Sequence, residues 1–231
     1  LSLFHNAVLP RPEQQKRPAL TFSEFLKVFS TFFSQPSIIP IVIYILIFRL
    51  GDALMLKMAQ LFLLDPIQKG GLGISTADVG LIYGTVGTVA LLVGGVFGGW
   101  VVSKYGLRKC LMPTAIVQNS AILLYWIMAI VKPPVLGVCV LNAYEQFSYG
   151  LGVAAYTVFL LSTVRPEYKA AHYATATCLM ALGVFVPSYI SGYLQTWLGY
   201  QNFFLLSFLA SVPGIIVIFF LPLTKEVENP A

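Results

Sequence analysis

The sequence predicts an all-α membrane protein with six transmembrane helices, and three observations predict it. Apolar residues make up 58% of the 231-residue chain and charged residues only 10%, against about 25% charged residues in a soluble domain. Six stretches reach the ~20 apolar residues that cross ~30 Å of hydrocarbon: 37–64, 79–102, 111–131, 135–164, 174–198 and 203–223. The segments between them carry Lys and Arg unevenly. With the N-terminus in the cytoplasm, ten fall on the inner side and two, Lys69 and Lys132, on the outer side, which is the positive-inside pattern. A mean hydropathy of +0.82 excludes a disordered chain, and a membrane barrel would instead show ~10-residue alternating segments. The net charge of +5 does not indicate nucleic acid, because the basic residues lie in short loops beside apolar runs.

Residues 1–36 open the chain with a Pro-, Gln- and charge-rich linker. Within it, Phe22, Phe25, Leu26, Phe29, Phe32 and Phe33 recur at helical spacing, which predicts an amphipathic helix on the membrane surface. Residues 224–231 form a tail on the same side. The chain begins at Leu1 without a signal-peptide pattern, and a longer parent protein is expected.

The first span holds Arg49, Asp52, Lys57 and Gln60. Charges at bilayer depth cost ~2.5–3.5 kcal/mol each on insertion scales and persist where they meet a partner or a wet cavity. At about 100° per residue all four share an arc of about 140°, opposite Tyr44, Phe48, Met55 and Ala59. One face is therefore predicted wet and the other packed. Arg49 and Asp52, three residues apart, are spaced to pair, either fixing helix packing or lining a substrate site. Lys57 adds an unpaired cation, which suits an anionic small-molecule substrate.

The second span is glycine-rich. Gly80/Gly84, Gly94/Gly98 and Gly95/Gly99 are small-xxx-small pairs that permit close helix approach. In the third span Gln118 and Asn119 are expected to make interhelical hydrogen bonds. The fourth span carries Asn142, Glu145, Gln146, Tyr149, Gly152 and Tyr156 on one polar and aromatic face. That face resembles a cavity wall. Its rings suit stacking on a sugar, and Glu145 is either a second proton carrier or a partner for Arg49 or Lys57. Pro187 and Pro213 predict bends in the fifth and sixth spans.

No enzyme signature is present. The G-x-G-x-x-A match at 150–155 lies inside an apolar span with no preceding strand. Cys110, Cys139 and Cys178 show no disulfide or metal spacing. No metal, cofactor or nucleic-acid partner is expected.

The loop after the second span reads Gly99-Trp-Val-Val-Ser103-Lys104-Tyr-Gly106-Leu107-Arg108-Lys109. It resembles the major facilitator signature G-x-x-x-D-R-x-G-R-R-K, with Gly99, Lys104, Gly106, Arg108 and Lys109 as the matching or conservatively replaced positions. Ser103 and Leu107 depart from it. Further segments carry a resemblance to the AmpG-like permeases: Arg49-Leu-Gly-Asp-Ala, Gly80-Leu-Ile-Tyr-Gly-Thr-Val-Gly, Tyr144-Glu-Gln-Phe-Ser-Tyr-Gly-Leu-Gly, His172-Tyr-Ala-Thr-Ala-Thr and Phe4-His-Asn-Ala-Val-Leu-Pro-Arg-Pro-Glu.

The resemblance implies the C-terminal half of a twelve-helix major facilitator fold in a bacterial inner membrane, with both termini of this segment cytoplasmic. Residues 1–36 become an interdomain linker, and the partner is a missing N-terminal six-helix half. The implied activity is proton-coupled import of anhydromuropeptides. Asp52 and Glu145 are then candidate proton-coupling groups. Arg49, Lys57, Gln60, Asn142, Tyr149 and Tyr156 are candidate substrate contacts. Transport of another organic anion (acetyl-CoA, a siderophore, a sugar), or a non-transporting scaffold or channel half, remains open on the residues alone. An isolated half is expected to expose Arg49, Asp52 and Lys57.

Overall fold

The computed structural model describes residues 22–223, with side chains from residue 27 onward. The expected linker up to residue 21 and the tail at 224–231 lie outside the described residues. Among the described residues every element is helical. These are α1 (Phe22–Phe33), α2 (Ile38–Ile47), α3 (Leu50–Leu64), α4 (Thr76–Gly80), a π-helical stretch (Leu81–Gly87), α5 (Thr88–Tyr105), α6 (Leu107–Val131), α7 (Val135–Ser162) and α8 (Lys169–Val217).

Among the described residues, four segments are long and apolar enough to cross a membrane: Ile38–Leu64, Thr76–Tyr105, Leu107–Val131 and Pro166–Phe220. The last has 55 residues, a length of about 80 Å if straight, far more than one crossing. It is broken at Gly199, whose φ of 70° and ψ of 164° are non-helical and favour a residue without Cβ. Helix α7, with 28 residues, spans about 42 Å and has room for its own crossing. The architecture thus accommodates six crossings, although length and hydropathy alone mark four.

The first crossing is interrupted between α2 and α3, where Arg49 has φ −92° and ψ 7°. The interruption leaves the Ile45 carbonyl without the amide it would receive in an unbroken helix. The Tyr156 hydroxyl donates to that carbonyl at 3.1 Å. Broken membrane helices survive where a side chain satisfies the freed backbone in this way.

Helix pairing follows the small residues in part. The most extensive contact is α5 with α7. A Cβ on Gly94 or Gly98 would run into the backbone of Phe147 or Leu151, and one on Gly150 into α5. These three glycines set the seam. Gly80, Gly84 and Gly99 have open space where a Cβ would point, so those members of the predicted pairs pack against nothing among the described residues. On α3, Gly51 lies against the backbone of Ser207 and the side chain of Ser211, which draws α3 onto α8.

The buried side chains form two apolar clusters. One includes Tyr44, Phe48, Ala115, Ala155, Tyr156 and Phe159. The other includes Leu54, Phe62, Ile122, Tyr125, Val138 and Phe204. The loops divide between two ends. At one end Tyr200 donates to Asp65 at 2.7 Å and Lys132 to the Ile67 carbonyl at 3.5 Å. At the other end α1 docks on the start of α8. Phe32 is fully buried and lies edge-on to His172. Thr31 meets His172 Nε2 at 2.8 Å, and the Arg165 amide donates to Nδ1 at 3.3 Å. The amphipathic segment is therefore clasped to the helix ends.

Candidate functional site

Between the two apolar clusters lies a polar layer, formed where three helices change from one cluster to the other. Asp52 falls between Phe48 and Leu54 on the first crossing. Gln118 and Asn119 fall between Ala115 and Ile122 on α6. Asn142, Glu145 and Ser148 fall between Val138 and Leu151 on α7. All six are 2% exposed or less. Burying polar groups at this depth costs free energy unless they are paired, so their partners define the site.

Gln118 donates through Nε2 to Asp52 Oδ2. Gln118 in turn fits only because position 152 is glycine: a Cβ there would lie 2.7 Å from Gln118 Cδ. One residue from each of α3, α6 and α7 thus interlocks. The expected interhelical role of Gln118 is realised, whereas Asn119 donates to Ala115 of its own helix at 2.8 Å. Glu145 Oε2 accepts from Asn142 Nδ2 at 3.4 Å, and Oε1 is buried with no partner. Asp52 and Glu145 lie close enough for their charges to interact.

Three expectations are corrected. First, Arg49 does not pair with Asp52. It donates to the Tyr149 hydroxyl and places its guanidinium carbon 5.2 Å from that ring's centroid, a cation–π geometry. The helix break at Arg49 removes the regular three-residue register, and Gln118 occupies the carboxylate. Second, Tyr156 is no cavity ring. It is 2% exposed, stacked on Phe48 at 5.3 Å and committed to the Ile45 carbonyl. Third, Asp52 is covered within this chain, with Arg49 half-buried, so of the three charged groups only Lys57 is exposed. Gln60 is also exposed and Tyr149 half-buried. The structure therefore brings together Asp52, Glu145 and Asn142, sets Arg49 with Tyr149 beside them, and leaves Lys57 and Gln60 on the open face of α3.

Two residues of this region were not singled out by periodicity. Tyr83 and Tyr125 share a hydrogen bond of 2.5 Å between hydroxyls, and Asn142 Nδ2 donates to Tyr125 at 3.3 Å. The only advance signal is a hydroxyl-bearing ring inside an apolar run.

The signature-like loop closes α5 onto α6. Gly106 has φ +80°, a conformation open to glycine. Lys104 sits over the rings of Trp100 and Tyr105 at 4.9 and 5.2 Å. Arg108 and Lys109 are exposed, as is Ser103. Leu107, where the signature has Arg, is 4% exposed within the first cluster. That departure thus follows from packing. Gly99 is half-buried beside the exposed Trp100.

A helical bundle of membrane-crossing length with a buried polar layer between two apolar clusters is the architecture of a multi-pass membrane protein. Comparison with known proteins agrees. The chain is similar to the anhydromuropeptide permease of Escherichia coli strain K12, 26% identical over 187 residues, which are 81% of this chain and 37% of the permease. It is also similar to AmpG 2, named as a transporter, in two rickettsiae. It is 28% identical to that of Rickettsia typhi over 93% of the chain, and 29% identical to that of Rickettsia prowazekii over 88%. The chain spans about half the length of the rickettsial relatives and less of the permease. Among solved structures, a peptide transporter POT in complex with sulfate superposes with a TM-score of 0.63 at 15% identity, covering 92% of this chain and 39% of that one. No family profile matches the chain. The resemblance to the AmpG-like permeases holds, and these relatives are permeases and transporters, not enzymes.

Proposed function

We propose that this chain is the C-terminal six-helix half of a proton-coupled secondary transporter that imports anhydromuropeptides across the bacterial inner membrane by alternating access. One observation carries the reading: Asp52 and Glu145, both buried at mid-depth, make no ion pair among the described residues. An ionisable group inside a membrane bundle is costly and is characteristic of proton relays and ion pathways. A carboxylate that alternates between charged and neutral can tie proton entry to a conformational change. Gln118 holds Asp52 through its donated amide, and Asn142 holds Glu145.

Arg49 and Tyr149 form the candidate substrate edge beside these carboxylates. The Arg49 Nε–H is buried and unpartnered, so a donor is available for a substrate carboxylate. Lys57 and Gln60 stand exposed on α3 as further candidate contacts, and Asn142, buried against Glu145, orients that carboxylate. Tyr156 has no part in this reading. The N-terminal six-helix half is supported by one observation: the chain spans only part of each relative. The positive-inside count supports cytoplasmic placement of residues 1–36, the signature-like loop and the tail. The same count supports an outer position for loops 65–75 and 132–134. The similarity to an anhydromuropeptide permease supports the cargo.

The test uses the full-length protein in proteoliposomes with labelled anhydromuropeptide. Asp52→Asn and Glu145→Gln should abolish gradient-driven accumulation, with counterflow exchange retained in at least Asp52→Asn. Undiminished accumulation in both variants would contradict the coupling role.

A further inference from the structure

The mechanism above gives protons a destination but no entrance. The hydrogen-bonded line from Tyr83 to Glu145 supplies one. Tyr83 stands on the π-helical stretch Leu81–Gly87, seven residues from the start of its crossing at Thr76. Its hydroxyl meets that of Tyr125 at 2.5 Å, across from α5's crossing to α6. The Asn142 amide nitrogen on α7 donates to both Tyr125 Oη (3.3 Å) and Glu145 Oε2 (3.4 Å). The two N–H bonds of an amide diverge by about 120°, which puts the phenol and carboxylate oxygens roughly 6 Å apart. A single water placed there would span that gap with two ordinary hydrogen bonds. Tyr125 is fully buried, whereas Tyr83 is only partly buried, with open space beside Gly80 and Gly84 on its own stretch.

We infer that Tyr83 and Tyr125 form a proton entrance to Glu145, opening toward the side that carries loops 65–75 and 132–134. The inference rests on the coupling role proposed for Glu145. In each transfer a phenol oxygen accepts a proton as its own hydroxyl proton moves on, so no charge remains on either tyrosine. The bridging water passes the proton to the Glu145 carboxylate, which becomes the carboxylic acid. Asn142 holds both ends of this last step and carries no proton itself.

The local backbone supports the assignment independently. A π-helical stretch is rare and clusters at functional sites, because it rotates a side chain out of the regular register. Here the wide turn carries Tyr83, and Gly87 at its end lies against Asn142, where a Cβ would sit 3.1 Å from Oδ1. The ionisable groups within electrostatic reach of Glu145 are Asp52 on α3, Tyr125 on α6 and Tyr83 on the π-helical stretch. The first competes for the incoming proton, and the other two conduct it.

The experiment compares Tyr83→Phe and Tyr125→Phe in the full-length protein, with labelled anhydromuropeptide as probe. Each variant keeps its ring and loses one hydroxyl. Proton-gradient-driven uptake should fall about tenfold or more, while counterflow exchange, which needs no net proton entry, stays within about twofold. The solvent deuterium isotope effect on driven uptake should rise in both variants. Equal losses in both assays would assign the tyrosines to packing and overturn the inference. Unchanged driven uptake and isotope effect would overturn it too. Glu145→Gln is run alongside: if that variant still accumulates substrate, the coupling role has failed; if it does not and the tyrosine variants behave as wild type, only the entrance has failed.

Discussion

Replacing Gly152 with Ala attacks the interlock of α3, α6 and α7 at its narrowest point. The new Cβ would lie 2.7 Å from Gln118 Cδ and 2.9 Å from Gln118 Cβ. The amide end of Gln118 can swing aside, but its Cβ is fixed to the backbone of α6. Overpacking costs about 1–3 kcal/mol. Displacing the amide also removes the hydrogen bond to Asp52, about 1.5–3 kcal/mol for a charged acceptor. A combined loss of about 2.5 kcal/mol or more follows. At roughly 2–4 °C per kcal/mol for a unit of this size, the melting temperature falls by roughly 5 °C or more. The assay is thermal unfolding of the purified full-length protein in detergent, followed by tryptophan fluorescence. A Gln118→Ala background sharpens it. With Cδ and the amide gone but the Cβ contact kept, adding Gly152→Ala should cost only the overpacking, about 1–3 kcal/mol, and not the hydrogen bond to Asp52, because neighbouring substitutions couple. Strictly additive losses, or a Gly152→Ala protein that melts like wild type, would refute the interlock.

Other substitutions separate structural from functional residues. Tyr156→Phe should melt lower by about 1 kcal/mol, the worth of its bond to the Ile45 carbonyl, and should keep its substrate affinity in uptake assays. Tyr149→Phe should weaken half-saturation as well as melting, because the Arg49 guanidinium loses the hydroxyl that positions it. Gly94→Val should prevent α5 and α7 from closing, since its side chain meets the Phe147 backbone; loss of monodisperse protein in size-exclusion chromatography is the readout. Raising the pH outside the vesicles should slow wild-type driven uptake, because fewer carboxylates load a proton there, and Asp52→Asn should abolish driven uptake across the whole pH range.

Much of the candidate site was legible in the sequence. Asp52 and Glu145 stand out as charges inside apolar runs, and burying them is expensive enough that only a partner or a role retains them. Gln118 was readable for the same reason. The Arg49–Asp52 pairing was not, because a helical wheel assumes an unbroken helix, and Gly51, two residues after the break at Arg49, reads equally well as a close-packing residue. Tyr156 misled in turn, since its hydroxyl is claimed by a carbonyl that only the break sets free. Tyr83 and Tyr125 were invisible because a ring in an apolar run reads as core and the π-helical stretch has no sequence signature. The second helix pair behaves likewise: Gly94 and Gly98 pack as their spacing predicts, while Gly80 and Gly84, of equal spacing, face open space. Spacing identifies a surface that can pack closely, and only the neighbouring helix decides whether it does.

The most direct measurement is uptake of labelled anhydromuropeptide into proteoliposomes containing the full-length protein, with and without a proton gradient, acid outside. Accumulation against the substrate gradient with the proton gradient, and equilibration only without it, is the predicted result. Equal uptake under both conditions, by protein shown to be folded and inserted, would contradict proton-coupled import through the Asp52–Glu145 layer.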